Sequence, residues 1–142
     1  MKKIRFLFLF IALSTIIVGC RVRLEPVEIL TFQQKIEKLF PNAAVTKMEL
    51  TDHFTKAYQI VLDQPLDHKN LAAGTFKHYM YLSHVDASKP TVFITEGYNA
   101  TPRTYELSKI FMGNQVQVEY RFYGKSRPDS IPWQYLKNDF AI

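Results

Sequence analysis

The plainest chemistry in this 142-residue sequence belongs to Cys20, its only cysteine. Cys20 closes the run Ile17-Val18-Gly19-Cys20, in which an aliphatic and a small residue lead directly into a thiol. That is the lipobox pattern of bacterial lipoprotein precursors. Lys2, Lys3 and Arg5 stand upstream, followed by Phe6 to Val18, apolar apart from Ser14 and Thr15. A charged n-region and a short apolar h-region make a signal peptide, because a bilayer span needs about 20 apolar residues. The sequence therefore predicts a signal peptide over 1–19, cleavage before Cys20, and lipidation of that cysteine. At about 0.8 kcal/mol per buried methylene, more than one acyl chain anchors stably. Lipid on the only thiol leaves none for a disulfide, so an exported domain here must hold by packing.

Other reactive-looking residues weigh less. Gly124-Lys125-Ser126 resembles the end of a phosphate loop, but Glu119 occupies the position five residues before Gly124 where that motif needs glycine. It also begins like G-x-S-x-G, yet Pro128 stands in place of the second glycine, so Ser126 reads as a turn residue. His78 and His84 are six apart on a predicted strand without a third ligand, and no metal or other cofactor is expected. Asp67-His68 reads as a turn in which the aspartate caps amides. Thr95-Glu96-Gly97-Tyr98 is more informative. It follows a predicted strand, where α/β sheets bind ligands, and amides beyond Gly97 could stabilise an oxyanion. Glu119 and Arg121 fall on one strand face, where by themselves they read as a solvated or structural ion pair.

The whole sequence has 18 Lys+Arg against 13 Asp+Glu. Three of the 18 leave with the signal peptide, so the mature chain is close to neutral at +2. This charge suits neither nucleic acid nor an electrostatic membrane footprint. Tyr and Phe together number 19, enough for a real core in one domain.

The elements that must position these residues follow from periodicity. Thr31 to Phe40 predicts a helix with Phe32, Ile36, Leu39 and Phe40 on one face, capped by Thr31 and Gln34. Ala44 to Leu50 predicts a short strand. Ala57 to Asp63, stopped by Pro65, and the run after Gly74 predict an antiparallel pair joined through Asp67 to Asn70. Thr91 to Thr95 reads as a central strand covered on both faces. Thr104 to Met112 reads as a helix burying Leu107, Ile110 and Phe111, and Val116 to Phe122 as a last strand. Strand, helix and strand make a right-handed βαβ unit. The expected class is thus α/β, with antiparallel strands leading into a parallel pair. The strand 116–122 is expected to lack a neighbour, and Trp133 to Ile142 to begin another helix.

Five motifs in register carry a resemblance: Gln64-Pro65-Leu66-Asp67-His68, Gly74-Thr75-Phe76, Thr95-Glu96-Gly97-Tyr98, Asn114-Gln115, and Glu119 to Pro128. Over about Phe54 to Tyr135 the chain resembles the secreted tripeptidyl aminopeptidase family of serine peptidases. The last motif also resembles the prolyl carboxypeptidase and dipeptidyl peptidase II family, although those families usually carry histidine where this chain has Tyr120. The resemblance implies the amino-terminal half of an α/β-hydrolase sheet, with a Ser-Asp-His triad whose nucleophile follows the fifth strand. None of the six serines here lies in G-x-S-x-G, so the triad is expected beyond Ile142. The resemblance further implies oxyanion amides at Gly97 and Tyr98, and substrate contacts from Glu96 and Arg121.

The expected organisation is a signal peptide over 1–19, a lipidated tether over 20–30, and a peptidase-like part over 31–142. The partners would be a peptide substrate of the full-length form and a bacterial membrane, reached through Cys20 on the exported side. The competing expectation is a small non-enzymatic envelope lipoprotein with a binding or structural role.

Overall fold

The computed structural model describes residues 29–130 and 133–136. The predicted signal peptide, Cys20 and most of the tether lie outside the described residues.

Helix α1 spans Phe32–Leu39. Its N-cap is a reciprocal capping box: Thr31 Oγ1 accepts from Gln34 N at 3.2 Å, and Gln34 Oε1 accepts from Thr31 N at 2.8 Å. Ile36 is buried in a core with Tyr58 and Ile60, flanked by Phe32, Val45, Leu62, Met80 and Leu82. Leu39 and Phe40, expected on the same face, are exposed. Only the Phe32 and Ile36 stripe reaches the sheet.

Five strands follow: β1 (Ala44–Lys47), β2 (Lys56–Pro65), β3 (Thr75–His84), β4 (Thr91–Glu96) and β5 (Asn114–Glu119). Their order in the sheet is β1-β2-β3-β5-β4. β1 to β3 and β5 pair antiparallel, while β4 and β5 pair parallel. The architecture is mixed α/β, a mostly antiparallel sheet with one parallel pair and two helices. The β2–β3 ladder runs without a break from Lys56↔His84 to Pro65↔Thr75. Pro65 closes it as the last paired residue instead of stopping it early, since proline's missing N–H matters least at a strand end.

Three expectations about the second half are corrected. β4 is an edge strand among the described residues and not a central one. Its residues alternate exposed and half-buried, and Phe93 is 64% exposed. Within the parallel pair β5, ending at Glu119, is flanked on both sides, so among the described residues the pair's open edge belongs to β4. Helix α2 is only Glu106–Ile110, and its predicted apolar face is reversed. Leu107, Ile110 and Phe111 are exposed, whereas Ser108 is fully buried. The reason lies beneath the helix, where the sheet presents an amide: Ser108 Oγ donates to Gln115 Oε1 at 2.8 Å. Of the predicted terminal helix, Trp133–Tyr135 form a single 3-10 turn, and the remainder lies outside the described residues.

Candidate functional site at the carboxyl ends of β4 and β5

The pattern of β5 looks amphipathic, with valines on one face and polar residues on the other. The polar face is the buried one. Gln115, Gln117 and Glu119 are 2%, 0% and 1% exposed. Groups so buried need hydrogen-bond partners, and the irregular backbone crossing from β4 to α2 has the complementary need. The two satisfy each other in sequence. Glu119 Oε1 accepts from Ala100 N at 2.9 Å, and Gln117 Nε2 donates to Thr101 O at 3.1 Å. Gln115 Nε2 donates to Arg103 O at 2.8 Å, while its Oε1 accepts from Tyr105 N at 3.0 Å. Strand positions 119, 117 and 115 thus hold loop positions 100, 101 and 103–105, residue by residue.

At the other end of β5, Asn114 fixes the β3–β4 turn. Its Oδ1 accepts from Val85 N at 2.8 Å, and its Nδ2 donates to Asp86 O at 2.8 Å and Lys89 O at 3.0 Å.

The second oxygen of Glu119 organises the turn beyond β5. Oε2 accepts from Lys125 N at 3.0 Å and from Ser126 N at 2.7 Å. Gly124 closes that turn at φ +50, and a Cβ there would fall on Glu119 Oε1 and lie 2.7 Å from its Cδ. Phe122 also has positive φ, at 70. Such a conformation is uncommon for a bulky residue and persists where the surroundings over-determine it. Here the surroundings are a bond from Phe122 N to Ser126 O at 2.6 Å and the Phe76 ring 5.1 Å away. Ser126 is fully buried, its Oγ accepting from Tyr79 N at 2.9 Å. It is a turn residue, as expected.

Glu119 and Arg121 do not form the expected ion pair. Glu119 accepts from backbone amides, and Arg121 points to the far side of the turn. There Nη2 donates to Leu66 O at 2.8 Å and Pro65 O at 3.3 Å, with the guanidinium over the Phe122 and Phe76 rings at 4.6 and 5.3 Å. Burial lowers its pKa, partly offset by Asp67. Asp67 caps its own turn through Lys69 N at 2.8 Å, as expected.

Glu96, Gly97 and Tyr98 come together with Tyr120 and Tyr123 at the carboxyl end of the parallel pair. Glu96 O accepts from Tyr120 N at 2.9 Å, and the Glu96 carboxylate pairs with Arg103 at 3.0 Å. Tyr98 is 84% exposed, its ring edge-on to Tyr123 at 5.8 Å. Arg121 shares with Tyr120 and Tyr123 the wall of an open groove of about 740 Å³ that also includes His78, Phe93 and Val118. Among the described residues no group of three or more His, Cys, Asp or Glu could hold a metal ion. The sequence missed Gln115, Gln117 and Glu119 as organisers. The available signal was a strand face of amides and a carboxylate with no lysine before Arg121, since a solvated face would normally mix charges.

His78 Nε2 donates to Glu119 O at 2.6 Å, and burial lowers its pKa below 6.5 against the opposing effect of that bond. His84, stacked on Phe32, is lowered by burial and by Lys56. Both are neutral in the folded and unfolded states above about pH 6.5. As the pH falls below that value the unfolded state takes up protons first, so stability falls until the depressed folded pKa values are passed. His78→Gln is expected to make the loss below about pH 6.5 shallower, measured as denaturation midpoint against pH. An unchanged slope would exclude His78 as a contributor.

A model of the PS-10 peptidase S37 family matches residues 37–141. The chain belongs to that family. All five motifs from which the resemblance to serine aminopeptidases was drawn lie inside the S37 match. The chain is also 47% identical over 75 residues to the prolyl tri/tetrapeptidyl aminopeptidase of Streptomyces mobaraensis. That stretch is 51% of this chain and 16% of the relative, so the chain spans only a small part of the relative's length. In S37 terms, hydrogen bonds and ring contacts link motifs that are separate in the sequence. Arg121 ties the last motif to Pro65 and Leu66 of the first and stacks on Phe76 of the second, while Glu119 and Gln115 hold the loop that follows the third.

Proposed function

We propose that this chain is the exported, lipid-anchored amino-terminal part of an S37 serine peptidase that releases short peptides from free amino termini. The observation that carries the reading is the polar face of β5, which holds the loop beyond Gly97 and Tyr98 at the end of a strand whose outer edge is open. A chain leaving β5 to add a parallel strand on that edge must cross in the direction opposite to the β4–α2–β5 crossover. The right-handed rule then places its connection on the opposite sheet face. That face carries Phe93, Val118 and the groove reached by Tyr135 and Leu136. Such a reversal creates a crevice at the strand ends, the usual ligand site of open α/β sheets.

In this reading a serine following the added strand attacks the substrate carbonyl opposite Gly97 and Tyr98, whose amides receive the oxyanion. In the same reading Glu96, whose carboxylate pairs with Arg103 in this structure, would meet the peptide's amino group. Arg121 forms the groove wall and reaches substrate only indirectly. In this reading the triad lies outside these 142 residues: none of the six serines stands in G-x-S-x-G, and the buried Ser108 and Ser126 are engaged in structural hydrogen bonds.

The test is peptide release from substrates with free amino termini. The 142-residue chain alone should release nothing, and the product of the same gene read in frame past codon 142 should be active and blocked by a serine-directed phosphonate. Phosphonate-sensitive release by the short chain would sink the proposal. So would the lack of a G-x-S-x-G sequence in any downstream frame. For the anchor, Cys20→Ser should abolish incorporation of labelled fatty acid and leave the precursor uncleaved.

A further inference from the structure

Glu119 joins two segments that have no continuous secondary structure between them. One oxygen takes the amide of Ala100, three residues beyond Gly97, and the other takes the amides of Lys125 and Ser126. Ser126 is in turn fastened to β3 through Tyr79 N. The carboxylate therefore carries the fixed position of the sheet into a loop that contains an 84%-exposed Tyr98 and no strand or helix of its own. All three donors are backbone N–H groups, so both oxygens act as acceptors. The glycine at 124 leaves the space that the carboxylate fills.

We infer that Glu119 is a positioning residue of the peptidase site, setting the geometry in which the Gly97 and Tyr98 amides meet the substrate carbonyl. The inference rests on the oxyanion reading above. Glu119 itself touches no substrate; it acts through Ala100.

Glu119→Gln tests this directly. The amide has one acceptor, so in either orientation its NH2 group faces at least one of the three N–H donors. Hydrogen exchange at Ala100, Lys125 and Ser126 in the full chain is expected to accelerate at least about tenfold. The Tyr58–Leu82 region of the β2–β3 ladder should keep its protection. Glu119→Asp retains two acceptor oxygens on a shorter stem and should give a smaller change with the same local pattern, which guards against a Gln variant that fails to fold.

In the form carrying the catalytic half, Glu119→Gln should lower kcat per titrated active site by about tenfold or more with little change in KM, because oxyanion donors act in the transition state. Unchanged exchange at Ala100 would overturn the positioning role, as would equal acceleration across the whole sheet in both variants. Altered exchange with unchanged kcat per titrated site would instead overturn the oxyanion assignment of Gly97 and Tyr98.

Discussion

Gly124→Ala is expected to lower stability by about 2–5 kcal/mol, a large part of the roughly 5–15 kcal/mol of a typical domain. Two effects combine. Alanine at φ +50 costs about 1–2 kcal/mol in backbone strain. The added methyl also meets the Glu119 carboxylate, which cannot move without releasing Ala100, Lys125 or Ser126. Each buried donor left unsatisfied costs about 1–3 kcal/mol. Gly74→Ala provides the comparison. It too has positive φ, at 99, but its added methyl would meet only Leu66 Cδ1 at an ordinary 3.7 Å. That variant should lose roughly 1–3 kcal/mol, the cost of strain alone. Denaturant midpoints of the two variants decide the matter. Equal losses would show that the carboxylate moves freely and that the turn beyond β5 is not organised around it.

The second large effect concerns the outer edge of β4. Thr91-Val92-Phe93-Ile94-Thr95 is β-branched or aromatic throughout, uncharged, and among the described residues paired only with β5. An exposed apolar edge of this kind is a template for pairing with another chain. The 142-residue chain is therefore expected to self-associate at micromolar concentration, and Phe93→Lys to shift that association at least about tenfold toward monomer by placing a charge on the edge. Because Phe93 is 64% exposed, the substitution should leave the thermal transition nearly unmoved. Light scattering across a dilution series reads the first effect and calorimetry the second. Association unaffected by Phe93→Lys would place the contact elsewhere, and a monodisperse, cooperatively folding parent chain would favour the small envelope lipoprotein.

Much of the frame was legible because it rests on local rules. The capping box at Thr31 and Gln34, the β2–β3 hairpin, and the parallel pairing forced by a helical crossover all follow from short-range pattern. What escaped was decided by neighbours. Alternation in β5 separates valines from Gln115, Gln117 and Glu119, but it cannot say which side water occupies. The usual inference failed because the covering layer is an irregular loop that needs donors and acceptors, not apolar surface. The same cause reversed α2: over Gln115 a serine seats the helix, and Leu107 and Ile110 face outward. β4 misled differently. Its continuous apolar run fits a buried parallel strand, and its edge position became visible only with the sheet order. The position of Glu96, Gly97 and Tyr98 at the end of a strand was legible from the sequence. Glu119 was not, because its partners are backbone atoms distributed over residues 100 to 126.

The β5 side chains grip the crossing segment by its main chain: the amides of Ala100 and Tyr105 and the carbonyls of Thr101 and Arg103. Even Pro102, which has no amide to offer, falls between the gripped positions. A shape recorded this way does not depend on which side chains the segment carries. Thr101, Pro102 and Arg103 are all exposed, and the pairing of Arg103 with Glu96 is a surface contact, so residues here can drift in evolution, or be randomised in the laboratory, with the path of the chain preserved. The three strand residues, by contrast, have almost no freedom to change, and relatives that differ in what they recognise would be expected to differ along 101–103 before they differ at 115, 117 or 119.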